Sequence, residues 1–262
     1  MTKFFKSVSY AAGFYGRDFE SLIDFAGNHG VPAVQLIPDQ FPNLYSELDA
    51  SRMVRLRHRL KENNVRASLH NVFYDINICS LVPEVQQFAL KVTEKVARLA
   101  NGLGAHLVTV HPGYMYPGWR YDPIQNASFW GSAKMAIESL NSLGEKYGIT
   151  FLLENGSYCL SSRLSERRQD FHLGIDINEL GSLLVFGGSN MAICMDYGKL
   201  LASGVDPLAF ASNFLGSIRQ VQVSTIAQYY DSQLILSNSA IDEIEVVFEG
   251  KDQDDLTEFL KA

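Results

Sequence analysis

The sequence predicts an α/β protein, and more closely a (β/α)8 barrel that forms a single domain over residues 1–262. Three observations predict this fold. Apolar, strand-like runs alternate with stretches of helical periodicity, eight such runs fit within the chain, and several of them end on a side chain that could bind a metal. A doubly wound open sheet is the rival, but no GxGxxG sequence follows the first strand.

The eight predicted strands are short, apolar runs, as expected for strands that are buried on both faces of a parallel sheet. The clearest is 149–154, which lies between Gly148 and Gly156 and ends abruptly on Glu154. A carboxylate at a strand tip would be held rigidly at the rim of a barrel. The predicted strands are residues 6–12, 33–37, 65–69, 107–110, 149–154, 191–196, 218–223 and 245–249.

Helical spacing of apolar residues fills most of the intervals between these strands. Glycines end several of the helices: Gly30 follows the first, Gly102 and Gly104 the third, and Gly148 the fourth. The predicted helices are residues 19–29, 52–63, 83–101, 132–147, 176–186, 207–215 and 252–261.

Composition limits the class of partner and the compartment. With 47% hydrophobic residues the chain can bury a large core, and a net charge of -7 without basic runs disfavours nucleic acid. Cys79, Cys159 and Cys194 are odd in number and lack CxxC spacing, which indicates free thiols in a reducing compartment. No apolar run is long enough for a signal or membrane segment, so we expect a cytoplasmic protein without a membrane partner.

Four sequence motifs carry a family resemblance. Residues 195–207, MDYGKLLASGVDP, resemble the strand-six signature of the xylose-isomerase-like TIM-barrel superfamily. Residues 68–71 (SLHN, followed by Ile76 and Asn77), 110–113 (VHPG) and 152–155 (LLEN) resemble its third, fourth and fifth strands. That superfamily contains sugar isomerases and epimerases, inosose dehydratases and the endonuclease IV group.

The resemblance implies a divalent metal, commonly Mn, Mg, Co or Zn, at the C-terminal rim. Its ligands would be Glu154 of strand five, Asp196 of strand six and Glu249 of strand eight, with Gln222 at the strand-seven position where the family has histidine. An amide oxygen suits Mn or Mg better than Zn, so the expected metal shifts towards those two.

The resemblance also implies a sugar or polyol substrate. We expect an isomerase or epimerase in which Glu154 and Glu249 remove and return a proton through an enediolate. Substrate contacts are predicted for His70, His111, Lys199 and Trp119. Related barrels are often dimers or tetramers, so a homo-oligomer is compatible with the resemblance.

Several departures from the family pattern keep other functions open. Lys199 and Gln222 stand where the family has histidine, Thr225 where it has aspartate, and Gln228 near a usual arginine. A metal-free accessory or binding barrel with a degenerate site is therefore one alternative, which a Lys199 ammonium at the metal position, against Glu154 and Asp196, would favour. A lyase or endonuclease of the same superfamily is another. Lost histidines and the acidic charge argue against DNA cleavage. In any α/β protein a strand-terminal glutamate is more often a solvated end or an ion-pair partner than a ligand.

Overall fold

The computed structural model describes residues 2–9, 18–38, 50–156, 172–237, 239–250 and 253–262. Within them, eight strands form a closed barrel in the order of the chain, and every neighbouring pair is parallel. The predicted (β/α)8 barrel is confirmed. The strands are β1 (Lys3–Ser9), β2 (Ala33–Leu36), β3 (Arg66–His70), β4 (Leu107–Val110), β5 (Thr150–Glu154), β6 (Met191–Asp196), β7 (Ile218–Val223) and β8 (Glu243–Phe248).

Helices follow the strands and cover the outside of the barrel. A large apolar core lies between the strands and these helices. The described α-helices are α1 (Phe19–Asn28), α2 (Ala50–Glu62), α3 (Pro83–Leu103), α4 (Pro123–Tyr147), α5 (Ile177–Phe186), α6 (Tyr197–Ser203), α7 (Pro207–Phe214), α8 (Ile226–Leu236) and α9 (Gln253–Lys261). In the described ranges, no helix combines the length and the apolar character needed to cross a membrane.

The predicted elements differ from the structure mainly at their ends. Helix α4 begins well before residue 132, because Asp122 accepts hydrogen bonds from the first-turn amides and Pro123 occupies the first helical position. Helices α6 and α8 are additions to the predicted set. β1 begins at Lys3, and residues 10–12 of the predicted first strand lie outside the described residues.

The interior of the barrel contains a layer of polar side chains that hydrogen-bond to one another. Gln35 donates to Gln220 (3.0 Å), and Gln220 in turn donates to Glu245 (2.8 Å). Ser68 donates to the other oxygen of Glu245 (2.9 Å). All four side chains are buried, so each relies on the others for hydrogen bonds. Burial raises the pKa of the Glu245 carboxyl.

The cysteines bear out the expectation of free thiols as far as the structure describes them. Cys79 and Cys194 are buried and unpaired by disulfide. Cys159 lies outside the described residues.

Candidate active site

Five predicted site residues lie at the carboxyl ends of barrel strands, on one rim. His70, Glu154 and Asp196 are the last residues of β3, β5 and β6. His111 directly follows β4, and Glu249 directly follows β8. In a (β/α)8 barrel the carboxyl ends of all strands meet at the same face, which is where such folds carry their chemistry.

Glu154 is the centre of this group, and both of its carboxylate oxygens are engaged. The Nε2 atoms of His70 and His111 each lie 3.0 Å from Oε2, and Lys199 forms an ion pair with Oε1. The Glu154 side chain is 1% exposed. Burial would raise the pKa of this carboxyl, but the Lys199 ammonium and the two imidazoles outweigh burial and hold the pKa well below its usual range.

The two histidines have opposite protonation preferences. His70 Nδ1 lies 2.7 Å from the carbonyl oxygen of Asn71 while Nε2 faces Glu154, so both ring nitrogens face acceptors. Burial acts to lower the pKa of His70, yet the Glu154 carboxylate raises it overall. Burial lowers the pKa of His111 to about 4, and the ring of Phe73 stacks on it at 5.0 Å. His70 is therefore the cationic imidazole of the pair and His111 the neutral one.

Asp196 is held by the start of α6 and by a neighbouring strand tip. Its Oδ1 accepts from the backbone N–H of Lys199 at 2.8 Å, and its Oδ2 lies 3.3 Å from the Lys199 ammonium. The side-chain amide of Asn155 accepts from the Asp196 N–H (2.7 Å) and donates to the Asp196 carbonyl (3.1 Å). This pair of bonds fixes the tip of β6 against β5. Burial raises the pKa of Asp196 despite the nearby ammonium.

Glu249 is the third carboxylate of this rim. Its backbone N–H donates to the Val223 carbonyl (2.8 Å), which anchors the end of β8 to β7. Among the described residues, no side chain donates a hydrogen bond to its carboxylate. Burial, with the charges of Asp196 and Glu154, raises the pKa of Glu249 to about 7.

Gln222 lies beside Asp196 in the register of β6 and β7. Its amide nitrogen donates to Gln35 at 3.4 Å, and its Oε1 is buried with no hydrogen-bond partner among the described residues. A buried acceptor without a donor costs free energy, so this oxygen is suited to receive a cation or a substrate hydroxyl.

The four predicted metal ligands do not fit a divalent ion while Lys199 holds its position. An ion shared by Glu154 and Asp196 would lie about 2 Å from an oxygen of each. The Lys199 ammonium already contacts both carboxylates there, and it repels a second cation from the same space.

A different set of side chains forms a candidate metal site on the other side of Glu154. His70, His111 and Glu154 each offer one potential ligand atom, and these atoms lie within 4.8 Å of one another. Over the residues that the structure describes, this is the one such group of histidine, cysteine or acidic side chains. It does not include Asp196 or Glu249. The neutral imidazole of His111 is in the form that binds metals.

The environment of Trp119 differs from that of the other predicted substrate residues. It lies in a 3-10 turn (Pro117–Tyr121) and packs against the hydrophobic core, with the edge of Tyr116 at 5.9 Å. A substrate contact of Trp119 stays a prediction.

Sequence reasoning did not assign roles to three neighbours of the site. Asn155 directly follows Glu154 in the sequence. A side-chain amide immediately after a strand-terminal carboxylate could have indicated its role. Phe73 stacks on His111. Burial, and to a smaller extent the charge of Lys199, lowers the pKa of His172. No local pattern marks these two aromatic residues.

The closed barrel and its rim of carboxylates and imidazoles define a class: (β/α)8 proteins with a polar site at the carboxyl ends of their strands. Within that class, the model of the family described as "Xylose isomerase-like TIM barrel" matches residues 23–261. The chain belongs to this family.

Solved structures with the same fold include sugar epimerases. A D-tagatose 3-epimerase-like protein superposes with a TM-score of 0.75 at 17% identity, over 98% of this chain and 97% of the other. D-psicose 3-epimerase from Clostridium cellulolyticum H10, with D-tagatose, gives 0.68 at 12% identity, over 96% and 89%. A curated relative, an uncharacterized protein of Methanocaldococcus jannaschii, is 25% identical over 92 residues, 35% of either chain.

Proposed function

We propose that the protein is a sugar epimerase or isomerase that moves a proton on the carbon next to a keto group. The observation that carries the proposal is the buried rim where the Lys199 ammonium contacts two strand-end carboxylates, Glu154 and Asp196, while the charge of a third, Glu249, also acts on it. The sugar class is suggested by the epimerases that share the fold.

Glu249 is the base of the proposed reaction. Glu154 receives three donors and Asp196 caps a helix, whereas no side chain in the described ranges donates to the Glu249 carboxylate. With a pKa of about 7, it exchanges protons near neutrality. It would remove the proton bound to carbon, and the electron pair of that bond would pass into an enediolate.

Lys199 stabilises the enediolate in this mechanism. Its ammonium is fixed by Glu154 and Asp196 before substrate binds, so it needs no reorganisation as negative charge develops on the former keto oxygen. The attraction of these carboxylates outweighs burial and raises the pKa of Lys199, which keeps the side chain cationic.

We assign return of the proton to the pair of His70 and Glu154, in keeping with the predicted catalytic role of Glu154. His70 donates to Glu154 and is the cationic imidazole of the site. Delivery to the opposite face of the same carbon gives an epimer. Where the proton came from C1, delivery to C2, with the C1 hydroxyl proton passing to the former keto oxygen, gives the aldose. Exchange with water then returns Glu249 and His70 to their starting protonation states.

A divalent ion at His70, His111 and Glu154 would supply Lewis-acid chemistry, and His70 would then hold the ion through the nitrogen that otherwise donates to Glu154, so the proton return assigned above applies to the site without an ion. Two imidazole nitrogens would favour Zn, Co or Mn over Mg at this site.

The test is hydrogen exchange in D2O, because enolisation exchanges the carbon-bound hydrogen whichever product forms. NMR would follow loss of the proton next to the carbonyl in a panel of ketohexoses and ketopentoses, including D-tagatose and D-psicose. We expect exchange with the wild type and a loss of at least about a hundredfold in Glu249→Gln. Glu258→Gln, on the exposed face of α9, is the matched control and should retain exchange.

A sugar-binding accessory barrel is the second candidate. The ion pairs of Lys199 with Glu154 and Asp196 favour it, because they neutralise two side chains that would otherwise be ligands or bases. Binding of a sugar without any exchange in D2O would favour this function over the first.

A further inference from the structure

The opposite, N-terminal mouth of the barrel contains a cavity that the proposed chemistry does not use. Its volume is about 540 Å³, within the range of pockets that bind small organic molecules. It is bounded by the first residues of several strands and by α2, on the far side of the polar layer around Glu245. It is therefore separate from the rim that carries Glu154.

The rim of this cavity concentrates positive charge in an acidic protein. Arg57 and Lys61, which are one turn apart on α2, face it together with Arg66 and Arg219. One carboxylate at this rim, Glu243, pairs with Arg66 at 2.9 Å. Arg57, Lys61 and Arg219 form no ion pair with the described residues, although the chain as a whole carries a net charge of -7.

The walls inside the rim are mostly apolar. The guanidinium of Arg66 lies 3.8 Å from the centre of the Phe5 ring. Both residues line the cavity, so a charged group and an aromatic ring are neighbours in its wall. At the inner end of the cavity the Ser68 hydroxyl donates a hydrogen bond to Glu245, so these two side chains need no polar ligand to satisfy that bond. The remaining apolar lining comes from Ala33, Leu60, Val65, Leu103 and Leu107.

We propose that this mouth binds a small organic anion whose phosphate or carboxylate lies among the rim cations and whose aromatic or aliphatic body fills the cavity. The rim cations, three of which form no ion pair within the described ranges, select the anionic group, and the apolar walls select the body. A ligand with only one of these parts would lose the contribution of the other.

The experiment uses 1-naphthyl phosphate as the probe, with binding measured by calorimetry and by fluorescence of the naphthyl group. We expect one site per chain, and at least tenfold weaker binding of inorganic phosphate alone and of 1-naphthol alone. The double variant Arg57→Ser/Lys61→Ser should weaken binding by at least tenfold. Both residues are exposed, so the fold should tolerate the change.

The matched control is Lys91→Ser/Lys261→Ser, which removes two exposed cations elsewhere and changes the net charge equally. It should change the affinity by less than about twofold, and so should Glu249→Gln at the opposite rim. The proposal would be overturned if the two double variants bound 1-naphthyl phosphate with equal affinity, or if Glu249→Gln weakened binding of that probe. Because the readout is binding at the N-terminal mouth, it is independent of whether the chain epimerises a sugar.

Discussion

Replacement of Lys199 by alanine tests the arrangement on which the site depends. The ammonium contacts Glu154 and Asp196, and the Lys199 side chain is 27% exposed. Removing one partner of a largely buried ion pair leaves the others uncompensated, which costs about 3 kcal/mol. We therefore expect Lys199→Ala to lower the free energy of unfolding by about that amount, measured by urea denaturation.

The same substitution should open a place for a divalent ion. Without the ammonium, Glu154, Asp196, Glu249 and the unpaired oxygen of Gln222 form an all-oxygen set, which suits Mg²⁺. Mg²⁺ at about a hundred times its dissociation constant would restore about 2.7 kcal/mol to the variant. Imidazole nitrogens are poor ligands for Mg²⁺, so Mg²⁺ should not bind at His70 and His111, and its effect on stability reports on the carboxylates.

Calorimetry and urea denaturation, with and without Mg²⁺ after treatment with a chelator, provide the assay. Lys146→Ala is the control, because it removes an exposed lysine whose ion pair with Glu94 spans 2.7 Å. Exposed pairs contribute little to stability, so this variant should lose much less and should not respond to Mg²⁺. Equal Mg²⁺ stabilisation of the wild type and Lys199→Ala would refute the claim that the ammonium excludes the ion.

Three further predictions address single groups. Exchange in D2O should speed up as pH rises through about 7, because Glu249 acts as a base in its ionised form; a pH-independent rate would contradict that role. Because the pKa of Glu245 is raised in the folded protein, its contribution to stability is complete below about pH 4.5 and is lost as pH rises through the folded pKa. In urea titrations, the free energy of unfolding of Glu245→Gln should therefore fall less with rising pH than that of the wild type. Asn155→Ala should cost about 1–3 kcal/mol by leaving backbone groups of Asp196 unbonded, and a near-zero change in urea midpoint would show that other groups replace them.

The sequence carries most of the information on the barrel and on which residues reach its rim. Strands such as β4 and β7 have the predicted limits, because a buried run between polar or glycine boundaries specifies both its ends. Helix α8 was missed because its buried face includes Ser232 beside Tyr229 and Leu236, so apolar periodicity does not mark it. Helix α6 is only seven residues long and begins immediately after β6.

The side-chain geometry of the site depends on distances that local pattern does not encode. The motif predicts that Asp196 and Lys199 are close, since the aspartate caps the helix that holds the lysine. The sequence leaves open whether the ammonium contacts substrate or lies against Glu154 and Asp196, and it does not predict that two histidines meet the other oxygen of the Glu154 carboxylate. Those contacts follow from the closure of the barrel.

The lysine at the place expected for a metal does not by itself indicate a lost activity. A divalent ion in that place would carry two positive charges, whereas the Lys199 ammonium carries one. The ammonium contacts Glu154 and Asp196, the charge of Glu249 acts on it as well, and His70 adds a second cation to the site. One negative charge is left over when all three carboxylates are ionised, and none when Glu249 holds a proton. Glu249 is the carboxylate without a donor among the described side chains, so the excess is relieved there. A single positive charge in place of two thus leaves the rim a carboxylate that titrates near neutrality, which is what the proton transfer proposed above requires.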